Sequence, residues 1–221
     1  MARNKDLPGT GLTSQRARDR LVARLAAMGI RSREALDAIA TVPRHIFVDE
    51  ALQGRAYDNS ALPIGYHQTI SQPYIVARIM EALLTIRKAE RVLEVGTGCG
   101  YQTAVLACLV RQVFSIERIS ALLSRARANL GLLEIRNTHL KYGDGSRGWL
   151  SHSPYDGIVV SAAFPDIPAE LLGQLVVGGR LIAPVERGQG QRLLRVVRTA
   201  EGYRETELDW VSFVPMRRGV V

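Results

Sequence analysis

Two hydrophobic rhythms run along this chain. Near its start Leu21, Val22, Leu25 and Met28 recur three and four residues apart, the spacing of one helix face. Thr13 and Ser14 can cap that helix and Gly29 can stop it, which predicts a helix running to Met28. Ser32 can cap a second helix, with Leu36 and Ile39 inward and an end before Pro43, since proline disfavours helix in the residue ahead of it. These two make a helical preface over residues 1–45. Both rhythms then fail across residues 48–74, where Asp58-Asn59, Pro63, Gly65 and Pro73 punctuate the chain and predict an irregular stretch. Its content of Tyr57, Leu62, Ile64, Tyr66, Ile70 and Tyr74 is too apolar for disorder, and an ordered loop of that length is usually functional.

From Ile75 onward, short β-branched runs alternate with helical ones. Helices are expected over 76–84, 102–110, 120–130 and 168–175. Strands are expected over 91–95, 112–116, 155–162 and 180–185, with a further one closing at 140–145. Gly178-Gly179 reads as the turn before the fifth strand, and residues 192–198 and 207–215 read as closing strands with no helix between them. Such alternation implies an α/β fold, a doubly wound and mostly parallel sheet with helices on both faces. The organisation expected is one domain over residues 1–221: the preface, a covering segment at 46–74, and a Rossmann-like core at 75–221. No internal repeat or low-complexity linker divides it.

One junction in this pattern carries chemistry. The strand Arg91-Val92-Leu93-Glu94-Val95 stops at Gly96-Thr97-Gly98-Cys99-Gly100, and a helix follows at once. Glycines there admit positive φ and let a ligand lie on bare backbone, while the helix start offers free N–H groups. The next strand ends in Glu117, at the distance where a ribose-binding carboxylate stands. The alternative for Glu117 is a solvated glutamate at a strand end. A dinucleotide fingerprint would place a small residue at the sixth position of the loop; here Tyr101 stands there, in a G-x-G-x-G spacing. That spacing resembles the first motif of S-adenosylmethionine-dependent methyltransferases.

Composition narrows the rest. With 47% hydrophobic residues in 221, the chain can bury an ample core, and no apolar run reaches the ~20 residues that span a bilayer. Residues 1–6 are charged and lack an apolar signal segment, and the two cysteines, Cys99 and Cys108, serve no evident disulfide, so a reducing cytoplasm is expected. The net charge of +8 comes largely from arginines at helical spacing, Arg16, Arg18, Arg20 and Arg24, then Arg118, Arg125 and Arg127. These are read as solvated helix faces; aromatics for stacking bases are few and no basic arm is present. His45, His67, His139 and His152 are scattered without ligand spacing, so no metal is expected.

Two further blocks sharpen the identity: Gly143-Asp144-Gly145-Ser146-Arg147-Gly148-Trp149 with Ser153-Pro154-Tyr155-Asp156-Gly157-Ile158, and Ala61-Leu62-Pro63-Ile64-Gly65 with Gln68-Thr69-Ile70-Ser71-Gln72-Pro73-Tyr74. Together with the glycine loop, they resemble the protein-L-isoaspartate O-methyltransferases, from about Val42-Pro43-Arg44 to Phe213-Val214-Pro215. Cys99 stands where that family usually has serine. Tyr66-His67 replace its small or amide residues, a change at the substrate entrance. Residues 1 to about 12 look like an extension without an assignable role.

The resemblance implies methyl transfer from S-adenosylmethionine to the free α-carboxylate of an L-isoaspartyl residue in damaged proteins and peptides, with D-aspartyl residues as a further candidate acceptor. That carboxylate is ionised at neutral pH, so no strong base is needed. It also implies roles. Ser71 would hold the substrate carboxylate, or cap the helix starting near Pro73, or do both; Gln72 would lie on the cofactor. Gly96, Thr97, Gly98 and Gly100 would surround the methionine part, with Glu94 reaching its ammonium directly or through water. Glu117 would take the ribose hydroxyls. Asp144 with Gly145 would meet the adenine, with a cap or turn as the alternative for Asp144. The run Ser161-Ala162-Ala163-Phe164-Pro165 lacks the Asn/Asp-Pro-Pro-aromatic motif of base-amine methyltransferases, and Ser161 can donate to an anion. The partners expected are isoaspartyl polypeptides, with no nucleic acid, no membrane and a monomeric state. A nucleic-acid methyltransferase and a cofactor-binding module without turnover are the competing readings.

Overall fold

The computed structural model describes residues 11–84 and 89–221, so most of the extension at the start lies outside the described residues. Helix α1 (Gln15–Ala27) buries Leu21 and Leu25. Met28, expected inward, is 45% exposed because the helix has already ended at it; Ile30, 2% exposed, fills that place. Helix α2 (Arg33–Thr41) starts as the sequence suggests, with the Ala35 N–H donating to the Ser32 hydroxyl at 3.2 Å. Arg18 corrects the reading of its helix face as solvated. It is 4% exposed, and its guanidinium donates to the Ala40 and Thr41 carbonyls at 3.5 and 3.3 Å. The last carbonyls of a helix have no partner within it, and Arg18 supplies one across the interface.

The stretch read as irregular holds two 3₁₀ turns, Arg44–Phe47 and Glu50–Arg55, and a hairpin of β1 (Leu62–Gly65) and β2 (Gln68–Ile70). Its tip, Tyr66 and His67, has φ of +54° and +56°. Two-residue turns of that shape are normally signalled by Asn-Gly or similar pairs. Tyr-His gives no such signal, and the hairpin is silent in the sequence.

The alternating region follows as expected: α3 (Pro73–Leu84), β3 (Arg91–Val95), α4 (Tyr101–Leu109), β4 (Gln112–Glu117), α5 (Ser120–Leu132), β5 (Thr138–Tyr142), β6 (Tyr155–Val160), α6 (Ala169–Leu172), β7 (Leu175–Arg187), β8 (Gly190–Arg198) and β9 (Tyr203–Val211). They form a seven-stranded sheet of order β5-β4-β3-β6-β7-β8-β9, with β8 alone running against its neighbours. Two expectations shift. The helix at 168–175 shrinks to four residues, because Leu175 already pairs with Tyr155. The pairing then skips from Leu175 to Arg180 while β6 advances only from Tyr155 to Gly157, so Gly178-Gly179 lie in a bulge of β7 instead of a turn before it. The last strand ends at Val211, and residues 212–214 leave it before Pro215 pairs with Ala163.

Alternation within the strands divides the core. Val92, Val113, Val159 and Ile182 point into one apolar cluster with the leucines of α1 and the residues of α3 and α4. Leu93, Phe114, Ile158 and Leu181, each one residue away, point into a second cluster on the other face. Strands buried on both faces read as continuous apolar runs, which is why the sequence announced them. From β3 the chain moves outward through β4 to β5, then returns to place β6 on the other side of β3. The crevice above the carboxyl ends of β3 and β6 is therefore a topological switch point, where open α/β sheets bind ligands.

Candidate active site

At that switch point the glycine loop is fixed by its neighbours. Gly96 has φ of +97°, and a Cβ on it would lie 3.2 Å from the Cβ of Ser161 at the end of β6. Only a glycine lets the two strand ends approach so closely. Gly100, with φ of +90°, sits where α4 begins, and a Cβ there would meet Ala126 of α5 at 3.2 Å. Asn129 of α5 donates to the Cys99 carbonyl at 2.9 Å, and the Thr97 and Ser115 hydroxyls share a bond of 2.6 Å beneath the loop.

Two carboxylates flank the loop. Glu117, 5% exposed at the end of β4, accepts the Gly98 N–H at 2.8 Å on one oxygen and the Ile119 N–H at 2.9 Å on the other. Each oxygen keeps a lone pair for a ligand. A small cavity of about 70 Å³ lies against it, bounded also by Val95, Gly96, Ile116 and Gly145. Glu94 is fully buried within β3. Burial pushes its carboxyl up to about 7, against the pull of three donors, the Ser115 and Thr103 hydroxyls and the Gln102 amide. Direct contact between Glu94 and a ligand is therefore closed. Its link to the crevice runs through Gln102, whose Nε2 is 3.1 Å from Glu94 and 2.9 Å from the Ser161 hydroxyl.

Over this floor lies a cavity of about 750 Å³. Gly96, Gly98 and Ser161 form its base; Ile64, Ser71 and Gln72 face them from the hairpin and the turn into α3; Trp210, Ser212 and Val214 close the far side. Ser71 is free of the capping role considered for it, because the Tyr74 N–H goes to the Asn59 side chain at 3.0 Å and the Val76 N–H to the Gln72 carbonyl at 3.1 Å. None of the described residues lining this cavity carries a titratable side chain.

The expected site residues therefore fall into four groups. Ser71, Gln72, Gly96 and Gly98 meet in the main cavity, and Glu117 and Gly145 in the small one beside it. Thr97 and Gly100 line neither; they shape the loop from behind. Asp144 accepts the N–H groups of Ser146 at 2.9 Å and Gly219 at 2.7 Å. Partial burial pushes its carboxyl up, but these backbone donors outweigh that and hold it below the ordinary range. It caps the short turn Gly145–Arg147 and clasps the last residues of the chain.

The sequence reading missed several contributors. Trp210 to Val214 reach the cavity only because β9 ends beside it, and nothing local marks them. Arg44 is the other omission. Its side chain is fully buried, donates to the Ala56 carbonyl at 2.9 Å, and lies 4.7 Å from the Tyr101 ring centroid at the start of α4. Burial lowers its pKa, and the neighbouring Tyr101 hydroxyl is the largest influence against that shift. Arg125 of α5 likewise reaches the Ile64 and Phe47 carbonyls at 3.3 Å each and pairs with Asp49 at 2.9 Å. Both were counted among surface charge or passed over. Arg44 instead ties the covering segment to Tyr101 at the start of α4, and Arg125 ties it to α5. His139 and His152, scattered in sequence, both stack on Phe114, at 4.8 and 4.7 Å. Among the described residues no group of three or more His, Cys, Asp or Glu could hold a metal ion, and no helix is long and apolar enough to cross a membrane.

A cradle with these features also occurs in known proteins. The family model described as protein-L-isoaspartate(D-aspartate) O-methyltransferase matches residues 15–220. A protein-L-isoaspartate O-methyltransferase of Halorhodospira halophila is 54% identical over 219 residues, covering 99% of this chain and 100% of its own. One from Pseudomonas aeruginosa is 50% identical over 210 residues, covering 95% of this chain and all of its own. A solved protein-L-isoaspartate O-methyltransferase superposes with a TM-score of 0.81 at 27% identity, covering 90% of this chain; the chain spans 65% of that longer one. A Plasmodium falciparum homologue solved with S-adenosyl-L-homocysteine shares the fold, with a TM-score of 0.77 at 23% identity over 90% of this chain and 98% of its own.

Proposed function

The chain belongs to the protein-L-isoaspartate(D-aspartate) O-methyltransferase family, and from that premise we propose that its cavity transfers a methyl group from S-adenosylmethionine to the free α-carboxylate of L-isoaspartyl residues. The observation that carries this assignment is the chemistry of the main cavity. Its base is bare glycine backbone, Ser71 faces that base with an uncommitted hydroxyl, and no titratable side chain lines it. A hydroxyl, amine or amide acceptor must lose a proton and wants a base nearby. A free carboxylate, with a pKa near 3.5 when unperturbed, has none to lose.

The residues fit the cofactor. Gly96 and Gly98 leave room for a chain of atoms along the loop, and Glu117 has lone pairs for a diol at the end of β4. Gly145 offers a wall without a side chain for the base. S-adenosylmethionine supplies the electrophilic methyl group on a sulfonium. The protein's part is placement. Ser71 orients the incoming carboxylate through its hydroxyl, Ser161 donates from the opposite strand end, and Ile64 with Trp210 and Val214 excludes water. Orientation and exclusion of solvent are then the main sources of acceleration. The Gln102 amide, tethered to Glu94, holds the Ser161 hydroxyl in position from behind. The protein acts as a cytoplasmic monomer on this reading, without nucleic-acid or membrane partners.

Labelled methyl transfer to a peptide containing isoaspartate, beside its normal aspartyl twin, tests the proposal. Transfer to the isoaspartyl peptide alone is expected. Equal labelling of both peptides, or labelling of RNA in preference to either, would overturn it.

A further inference from the structure

The far wall of the main cavity is carried by β9, an edge strand whose one neighbour among the described strands is β8. Their register breaks just before β9 reaches the cavity. Leu194 lies opposite Glu207 and Arg192 opposite Trp210, so β8 advances two residues while β9 advances three. The surplus residue makes a bulge at Leu208-Asp209. Side chains alternate along a regular strand. Here two successive ones turn to the same side: Leu208 packs on the apolar cluster that includes α3, and Asp209 bonds to α3 itself. The bulge also sets Trp210 opposite Arg192, whose guanidinium lies 3.6 Å from its ring centroid. Bulges beside a site re-aim side chains in this way.

Both Asp209 oxygens go to α3. One accepts from the Tyr74 hydroxyl at 3.1 Å and the other from Arg78 Nε at 2.8 Å. Tyr74 stands three residues after Ser71, and Asp209 one residue before Trp210. The two bonds therefore join the walls that face each other across the cavity, although Asp209 itself does not line it. Arg78 carries the tie further. Its Nη1 meets Glu81 at 2.8 Å, and Glu81 accepts the Arg31 and Ser32 N–H groups, at 2.6 and 3.0 Å, at the entry to α2. Arg78 and Asp209 have side chains 28% and 22% exposed, and a pair so sheltered is screened less than a surface one. Burial, and then the Asp209 carboxylate, push the Tyr74 hydroxyl above its ordinary pKa, so it stays a donor to Asp209.

We propose that Asp209 is a positioning residue for methyl transfer, setting through Tyr74 and Arg78 the span between the Trp210–Val214 wall and Ser71. The inference rests on the isoaspartyl reading given above. On that reading the floor fixes the methyl group, while Ser71 and the walls fix the acceptor carboxylate. The span decides whether the two line up. An edge strand paired on one side is free to shift on the other, and the clamp to α3 removes that freedom.

The test compares Asp209→Ala, Arg78→Ala, the double variant, and Glu205→Ala, a control on the same strand that removes a surface ion pair with Arg187. Each is measured for kcat on an isoaspartyl peptide, for S-adenosylhomocysteine affinity by calorimetry, and for melting temperature. Asp209→Ala should lower kcat about tenfold, less than the ~hundredfold that a misplacement of ~1 Å can cost. Cofactor affinity should stay within about twofold, because the floor is untouched. Arg78→Ala should do the same, and the double variant should lose little more than either, since both break one clamp. Glu205→Ala should keep the natural kcat. Unchanged kcat in Asp209→Ala, or losses that add in the double variant, would overturn the proposal. So would a fall in kcat matched by an equal fall in cofactor affinity, because Asp209 would then support the fold in general. If the alanine variant does not fold, Asp209→Asn, which keeps the side chain's shape without its charge, takes its place and is read by the same outcomes. Failure of the natural protein to methylate the isoaspartyl peptide would reject the isoaspartyl reading itself, whereas full transfer by both it and Asp209→Ala would reject the clamp alone.

Discussion

The floor of the cavity, at the ends of β3, β4 and β6, has nearly every polar atom tied down. Glu117 holds two backbone N–H groups, Glu94 receives three donors, and Thr97 and Cys99 are bonded to Ser115 and Asn129. The roof proper, the hairpin, is attached at fewer points, whereas residues 210–214 beside it are bonded to Gln191 at 3.1 and 2.7 Å and to Ala163 at 2.8 Å. Arg44 holds the segment that leads into it through the Ala56 carbonyl, and Arg125, with 27% of its side chain exposed, grips the Phe47 and Ile64 carbonyls. The cofactor is the same molecule in every turnover and is served by preorganised dipoles that need not rearrange. The acceptor is a different polypeptide each time, and a hairpin on a few long-range contacts can admit it. Rigidity lies where the ligand is constant.

Breaking the floor should give the largest effect. Glu117→Ala removes the acceptor proposed for the ribose and also leaves the Gly98 and Ile119 N–H groups without their partner. At roughly 1.5–3 kcal/mol for each bond to a charged group, cofactor affinity should fall at least a hundredfold in a folded variant. Calorimetric titration with S-adenosylhomocysteine measures it; unchanged affinity would remove Glu117 from the site.

A break in the roof should behave differently. Ser71→Ala leaves the glycine loop and Glu117 intact, so cofactor binding should persist while methyl transfer falls about a hundredfold, the cost of misplacing a nucleophile by ~1 Å. The backbone N–H of Ser71 survives and should sustain residual turnover. A variant with native circular dichroism and full rate on the isoaspartyl peptide would exclude the assignment. So would one whose loss lay wholly in cofactor affinity.

The smallest effect sharpens the contrast through pH. Complete burial raises the Glu94 carboxyl from 4.5 to about 7, so the folded state binds its proton more tightly than the unfolded chain does. The stability this contributes is complete below about pH 4.5 and is lost as pH rises to and through about 7. Glu94→Gln lacks that titration. Its melting temperature relative to the natural protein should climb between about pH 5 and 8, by the equivalent of at most about 3 kcal/mol. Parallel melting curves across that range would show that Glu94 does not titrate in the fold.

Legibility in the sequence follows the same division. The strand, glycine loop and Glu117 lie within one βαβ unit, and the strand at residues 91–95 was read at its observed bounds. The hairpin was invisible because Tyr66-His67 lack turn chemistry, and Met28 was misassigned because helix period alone does not say where a helix stops. Arg18 and Arg125 looked like solvated charge, since a sequence does not show which helix end or carbonyl will lie opposite them.

By itself the sequence determined the α/β architecture, the glycine loop and the blocks that resemble the isoaspartyl methyltransferases, because each depends on residues close together in the chain. Only the tertiary structure decided that Glu94 is sealed beneath the floor, that Ser71 is spared from capping, that residues 210–214 complete the cavity, and that Arg44 lies buried against Tyr101. Those facts depend on burial and on contacts between segments far apart in the chain. Desolvation and hydrogen-bond partnership at that range exist only once the chain has closed on itself.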